Sequence, residues 1–95
     1  MKITVEFLSL PNVAKLVGGK SISHDFAGGS IQDLIGEVAG KHGKQVSDFL
    51  LGPDGNLDAN FRVVLNKVEW LYHDQLDRPL QDGVIVTLAM LVGGG

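Results

Sequence analysis

Cysteine is absent from this 95-residue sequence. Without a thiol the chain cannot form a disulfide framework, a cysteine-ligated zinc or iron–sulfur centre, or a cysteine nucleophile. If the protein handles sulfur at all, that sulfur cannot be carried on a side-chain thiol.

Long apolar runs and basic clusters are also missing. No apolar run approaches membrane-spanning length, and Glu6 interrupts the N-terminal apolar stretch that a secretion signal would need. The eight Lys and Arg residues are scattered singly and outnumbered by eleven Asp and Glu, which gives a net charge of −3. A nucleic-acid-binding domain would normally present a basic face. We therefore expect a soluble cytoplasmic protein that binds neither nucleic acid nor a membrane.

No catalytic or metal-binding motif is complete in the sequence. Asp54, Asn56 and Asp58 have the opening spacing of a calcium loop, but Ala59 and Leu65 occupy the positions of its glycine and its bidentate glutamate. The segment is therefore predicted to be a turn. Ser and Cys nucleophiles in a recognisable setting are missing too, so the sequence predicts no catalytic residue and no metal site.

The three histidines do not change this interpretation. His24 shares the inward side of its strand with Ile22, but no second ligand stands beside it in sequence, so a partly covered histidine on an edge strand is expected. His73 and Asp74 are adjacent and should point apart, which favours two solvated loop residues. The sequence assigns no role to His42.

Alternating polar and apolar residues predict strands over residues 2–7 and 20–26, joined as a hairpin by a long loop. Residues 61–65 and 68–71 predict two further strands, separated by the turn Asn66-Lys67. The polar stretch between residues 72 and 78 is predicted to be a loop.

One stretch has a convincing helical pattern. Ser30 and Asp33 have the spacing of a capping box, apolar residues follow at helical spacing, and Gly43 ends the pattern. Gly36 and Gly40 fall on the side opposite the apolar residues, where each costs about 1 kcal/mol relative to alanine. Residues 46–51 are expected to form a short turn of helix or a loop that covers the core.

The last twelve residues are the most informative part of the chain. Residues 84–92 are almost continuously apolar and rich in β-branched side chains, which predicts a strand buried on both faces. Gly93-Gly94-Gly95 follows directly. Three residues without side chains can pass through a slot too narrow for any Cβ, so Gly95 would present its carboxylate and Gly93 and Gly94 would thread behind it. We therefore expect a domain over residues 1–92 and a flexible tail over residues 93–95.

The predicted order of elements indicates an α+β protein with a mixed sheet of four to five strands and one main helix packed across it. The first and last strands have the best apolar faces, so they are expected to lie side by side, in parallel, at the centre of the sheet. This arrangement is the β-grasp, or ubiquitin-like, fold.

With the elements in this order, four segments carry a family resemblance: the helix over residues 30–43, Val64-Leu65-Asn66, Leu80-Gln81-Asp82-Gly83 and the terminal Gly94-Gly95. Together they resemble the ubiquitin-like sulfur carrier proteins, the family of the molybdopterin synthase small subunit and the thiamin-pathway sulfur carrier. The resemblance covers essentially the whole chain. It does not select among the molybdopterin, thiamin and sulfur amino acid pathways.

The resemblance implies a sulfur-carrying cosubstrate or non-catalytic subunit, not an enzyme. A partner enzyme would use ATP and magnesium to adenylate the Gly95 carboxylate, and a sulfur donor would convert the adenylate to a thiocarboxylate. An acceptor synthase or a large catalytic subunit would then take the sulfur. No cofactor is expected to bind to this chain itself. Because ordering the tail costs free energy, we expect an apolar patch near it, including Met90, Leu91 and Val92, to contribute to partner binding.

Two other functions are compatible with the same sequence. The carboxylate of Gly95 could end in an isopeptide bond to a lysine, which would make the chain a protein modifier. Alternatively, the domain could be a plain β-grasp binding module with an inactive tail.

Overall fold

In the computed structural model, which describes residues 1–90, five strands form one mixed sheet with helices on one side. The elements, in chain order, are β1 (Lys2–Leu8), α1 (Pro11–Val17), β2 (Ser21–Asp25), α2 (Ile31–Lys41), α3 (Lys44–Leu50), β3 (Phe61–Leu65), β4 (Glu69–Leu71), a 3-10 turn (His73–Gln75) and β5 (Ile85–Met90). The strand order is β2-β1-β5-β3-β4.

The centre of the sheet is the parallel pair of β1 and β5. β2 pairs with β1, β3 with β5 and β4 with β3, all antiparallel. The prediction that the first and last strands lie together in parallel is therefore confirmed, and so is the β-grasp arrangement. Val86, Thr87, Leu88 and Ala89 are all buried, so the middle of β5 is covered on both faces as predicted, whereas Ile85 is partly buried and Met90 is exposed.

The core fills the space between the sheet and the helices. Alternate residues of the strands point toward the helices, as strand geometry requires. These inward residues join the apolar side of α2 in one cluster that includes Ile3, Val5, Phe7, Phe61, Val63, Val86, Leu88, Ile31, Leu34, Ile35 and Val38. Residues 1–90 thus share one core, while the predicted boundary between residues 92 and 93 lies outside the described residues.

The main helix, α2, begins where the capping box predicts. The amide of Asp33 donates to Ser30 Oγ at 3.1 Å, and the amide of Ser30 donates to Asp33 Oδ2 at 3.0 Å. The helix ends at Lys41, its C-cap is His42, and Gly43 follows with φ of 97°. Its 11 residues make it the longest helix in the described part of the chain, and none of the helices there is long and apolar enough to cross a membrane.

The loop expected between the first two strands is wrong, because residues 11–17 form α1. Pro11 occupies the first turn, where a missing amide proton costs nothing, and Gly18 ends the helix at φ of 98°. Val13 and Val17 lie one turn apart and are buried. Seven residues contain too few repeats for the helical period to stand out in the sequence. The stretch after the main helix, for which either a turn of helix or a loop was expected, forms the helix α3.

Candidate functional site: the outer face of the sheet

Strand alternation leaves the other side of the sheet facing away from the helices. We call the half of this side that lies toward Met90 the outer face; its residues in the four adjoining strands are Glu6, Leu8, Arg62, Val64, Trp70, Thr87 and Ala89, and Thr4 and Ile85 lie on the same side beyond it. Trp70 and Leu8 are 60% and 54% exposed, although both are large and apolar. Large exposed apolar groups that lie close together mark interaction surfaces more often than isolated ones do.

Strand register arranges the outer face in two rows. One row runs from Glu6 through Thr87 and Val64 to Trp70, and the next contains Leu8, Ala89 and Arg62. Val64, Thr87 and Ala89 are buried despite pointing outward. The larger side chains of the outer face therefore surround a low centre, which these three residues form. The result is a depression of about 270 Å³ lined by Glu6, Leu8, Val64, Lys67, Trp70 and Thr87.

A carboxylate lies inside this mainly apolar depression. Thr87 Oγ1 donates a hydrogen bond of 2.9 Å to Glu6 Oε1. Lys67 Nζ lies 3.5 Å from Glu6 Oε2, which is a loose ion pair. The Lys67 side chain is mostly exposed, whereas the Glu6 side chain is 26% exposed. The position of Glu6 is thus set mainly by the buried hydroxyl and less by the lysine.

The β3–β4 hairpin places Lys67 beside the depression. Asn66 and Lys67 have φ of 50° and 66°, the two positive values of a tight hairpin turn. The turn is tied to the start of β5, because Asn66 Oδ1 accepts from the amide of Ile85 at 3.0 Å and the Asn66 amide donates to the Ile85 carbonyl at 2.8 Å. The base of the lysine is therefore fixed while its ammonium end extends into solvent.

The far side of the outer face carries a cation. The Arg62 guanidinium lies 5.6 Å from the centre of the Tyr72 ring, within the range of a cation–π contact. The same guanidinium is 3.4 Å from His73 Nδ1. The outer face therefore has a carboxylate on the β1 side and a guanidinium on the β3 side.

The described part of β5 ends at this surface. Ala89 pairs with Leu8 and Met90 pairs with Phe61, so the last described residues of β5 lie at the end of the sheet where Leu8 stands. Met90 is 40% exposed, and strand alternation puts it on the helix side. Its predicted role in partner binding stays a prediction. Leu91, Val92 and Gly93-Gly94-Gly95 lie outside the described residues.

The sequence analysis did not bring Leu8, Val64 and Trp70 together in one candidate surface. A weak signal was present, because Leu8 continues the polar side of β1 that contains Thr4 and Glu6 and is apolar there. Trp70 lies in a strand of only three residues, too short to show an alternation. These residues come together only because strands far apart in the chain pair with each other, and the sequence pattern does not show that pairing.

His24 lies on the helix side of β2 and is more deeply buried than predicted, at 4% exposure. Its Nε2 is 2.7 Å from Glu37 Oε1 on α2. The sequence did not connect these two residues because they belong to different elements. Within residues 1–90, His24 Nδ1 is buried without a hydrogen-bond partner.

His42, at the end of α2, has a lowered pKa, because burial disfavours its charged form and the nearby charges of Lys41 and His24 act in the same direction. Of the two loop residues predicted to be solvated, Asp74 is exposed, whereas His73 is partly buried. Its Nε2 donates to the carbonyl of Asp58 at 3.0 Å, which ties the 3-10 turn to the loop before β3.

The loop with calcium-like spacing is a turn, as predicted. Asp54 accepts hydrogen bonds from the amide and the side chain of Asn56, and these bonds hold the pKa of Asp54 below its usual value. Across residues 1–90, the structure brings no three His, Asp or Glu side chains into a group that could hold a metal ion.

Comparison with known proteins gives structural matches only: no family model matches the chain, and no curated protein matches it in sequence. The crystal structure of SAMP1 from Haloferax volcanii matches with a TM-score of 0.77 and 21% identity over 100% of both chains. The solution structure of Urm1 from Trypanosoma brucei matches with a TM-score of 0.74 and 21% identity, covering 99% of this chain and 95% of the other.

A further match is a putative molybdopterin converting factor subunit 1 from Pyrococcus furiosus, with a TM-score of 0.69 and 18% identity over 97% of this chain and 99% of that one. One more solved structure, from Methanosarcina acetivorans, is titled a small archaeal modifier protein. Each of these matches covers nearly the full length of both proteins compared. The chain therefore has the β-grasp fold of these small proteins, and the resemblance to ubiquitin-like sulfur carriers is confirmed at the level of the fold.

Proposed function

We propose that this protein is a carrier that presents the Gly95 carboxylate to an adenylating enzyme and receives sulfur there as a thiocarboxylate. In the first step a carboxylate oxygen attacks the α-phosphorus of ATP and pyrophosphate leaves. A donor at the oxidation level of sulfide then attacks the acyl carbon, and AMP leaves. The adenylating enzyme supplies the ATP and magnesium site, so this chain acts as a cosubstrate.

One observation carries the proposal: the central strand β5 reaches Met90 at the end of the sheet where the outer face exposes Leu8, and Gly93-Gly94-Gly95 follow in the sequence after Leu91 and Val92. A partner seated on the outer face would lie next to the described end of β5, which is close in sequence to those glycines. The full-length likeness to SAMP1 and to the converting-factor subunit supports the same assignment.

The energetics explain why a folded body is needed for a reaction at a short segment. Ordering three glycines costs about 3 to 6 kcal/mol, and each backbone hydrogen bond returns only about 0.5 to 1.5 kcal/mol. Burying an exposed large apolar side chain contributes about 1.5 to 3 kcal/mol. Trp70 and Leu8 together could therefore offset the cost of ordering Gly93, Gly94 and Gly95.

The test is ATP–pyrophosphate exchange with an adenylating enzyme, followed by intact mass measurement under conditions that preserve thioacids. We expect exchange that depends on this protein and a mass gain equal to sulfur replacing oxygen. Deleting Gly95 should abolish both signals, and the Asp48→Asn variant serves as a control on the helix side. Failure of the wild-type protein to support exchange with any adenylating enzyme would contradict the proposal.

A protein modifier is the second candidate, because one structural match, from Haloferax volcanii, is named small archaeal modifier protein 1. Both functions share the adenylate, so exchange alone does not separate them. Conjugates of higher mass, joined through Gly95 to a lysine, would indicate the modifier. If the protein is a sulfur carrier, the acceptor synthase or large catalytic subunit that takes the sulfur would instead release it with the Gly95 carboxylate restored.

A further inference from the structure

Glu6 is a charged residue in a mainly apolar depression. It lies in the row of the outer face that also contains Thr87, Val64 and Trp70, and Leu8 stands beside it along β1. It also borders a second, larger depression of about 540 Å³ at the end of β1, which Leu8 and Lys67 share. A partner that covers the outer face therefore covers Glu6.

The hydrogen bonds and ion pairs made by residues 1–90 leave part of this carboxylate free. A carboxylate has about four acceptor positions. Thr87 Oγ1 fills one on Oε1, and Lys67 approaches Oε2 only to 3.5 Å. The hydroxyl that holds Glu6 is itself buried, so the carboxylate keeps its place above the low centre of the face.

Docking an apolar surface here would strip water from Glu6. A buried carboxylate is strongly destabilising unless a cation or several donors replace its water. The loose pair with Lys67 is weak in solvent, because both partners keep access to water and the lysine is mostly exposed. A purely apolar partner would therefore be rejected at this point.

We propose that the outer face selects a partner that carries an arginine or lysine in the middle of its apolar contact surface, and that this cation binds Glu6 in place of Lys67. The proposal rests on the proposed function, since the partner is the enzyme that adenylates Gly95. An arginine fits best, because its planar guanidinium can bond to carboxylate oxygens in pairs. Glu6 then acts as a specificity residue: it admits partners with a matching cation and excludes those without one.

The experiment compares charge variants in ATP–pyrophosphate exchange with the adenylating enzyme that activates the wild-type protein. Glu6→Gln keeps the shape and the acceptor for Thr87 but removes the charge. We expect the KM for this protein to rise by about tenfold or more with kcat unchanged, because only docking is affected. Asp48→Asn, which removes a carboxylate of an exposed pair on α3, should leave the KM unchanged.

The Lys67→Met variant tests whether the cation that binds Glu6 in the complex comes from the partner or from Lys67. If the partner supplies the cation, Lys67 competes with it and its removal should lower the KM. Glu6→Lys should abolish docking, and reversing the partner's cation to Glu should restore it. Urea denaturation checks that each variant is folded.

Three results would overturn the inference in distinguishable ways. An unchanged KM for Glu6→Gln would show that the carboxylate is not used. Equal increases for Glu6→Gln and Lys67→Met would show that the internal pair is what the partner needs. Absence of exchange with the wild-type protein would remove the proposed function and this inference together.

Discussion

The two faces of the sheet are built from the same strands but meet different surroundings. On the helix side, Ile3, Val86 and Leu88 are essentially inaccessible and fill one core. On the outer face, Leu8 and Trp70 are more than half exposed, and the Glu6 carboxylate lines the same depression as they do. The helix side therefore holds most of the stability, whereas the outer face keeps apolar area available for a partner. Substitutions on the two faces should separate stability from docking.

The largest expected effect is on stability, at Phe61. This residue is 1% exposed and its ring packs edge to face against Phe49, with centroids 5.7 Å apart. Phe61→Ala should lower the free energy of unfolding by about 3 to 5 kcal/mol, through lost burial and the cavity left behind. Trp70→Ala removes a larger aromatic group from the outer face and should cost about 1 kcal/mol or less. Urea denaturation followed by circular dichroism measures both, and equal losses would show that the two faces do not differ in this way.

The next effect is on docking, at Leu8. Leu8→Asp should raise the KM for this protein in adenylation by about 30-fold, equivalent to roughly 2 kcal/mol, because a charged group replaces an apolar contact. The matched control is Leu16→Asp, since Leu16 is a similarly exposed leucine, at 47%, on α1. Leu16→Asp should change neither the KM nor the stability. An equal rise in KM for both variants would extend the docking surface to the helix side.

A smaller effect, of opposite sign, is expected on the solvent side of α2. A Cβ added at Gly36 or Gly40 meets no atom within 4 Å, and neither residue has a positive φ. Alanine at each should raise the free energy of unfolding by about 0.5 to 1 kcal/mol, because alanine favours the helix. Gly43→Ala, at φ of 97°, should lower it instead. Thermal denaturation gives the signs, and a stabilised Gly36→Ala variant that is activated poorly would place a partner on α2.

The sequence predicted the helix side of the molecule much better than the outer face. The alternation in β1, the nearly continuous run of apolar residues in β5 and the capping box at Ser30 are local signals in the sequence, and each predicted its element. The parallel pairing of β1 and β5 followed from their apolar faces. What failed locally was α1, whose seven residues are too few for a helical period to be recognised.

The outer face could not be predicted because its contacts join residues far apart in the chain. Thr87 bonds to Glu6 across 81 positions, and Lys67 reaches the same carboxylate from a hairpin turn. Each residue alone is an ordinary polar strand or turn residue. Only the strand order brings them into one depression, and the sequence predicted the central parallel pair but not the side-chain positions around it.

The smallest expected effect is a pH dependence that belongs to the helix side. The pKa of His42 lies below its ordinary value of 6.5, because of burial first and the charges of Lys41 and His24 after it. The unfolded chain therefore takes up a proton at a higher pH than the folded protein does. As the pH falls from about 6.5 toward the lowered pKa, the free energy of unfolding decreases, and above that window His42 contributes no pH dependence.

His42→Gln should accordingly make the free energy of unfolding, measured by urea denaturation between about pH 5 and pH 8, less steep in its acidic part. The wild-type slope also contains contributions from other groups, so the comparison is between the two proteins at each pH. Lys41→Gln tests the cause, since removing that charge should raise the pKa of His42 in an NMR titration. A slope that His42→Gln leaves unchanged would mean that His42 titrates alike in the folded and unfolded chains, contrary to the lowered pKa that burial and the neighbouring charges give it.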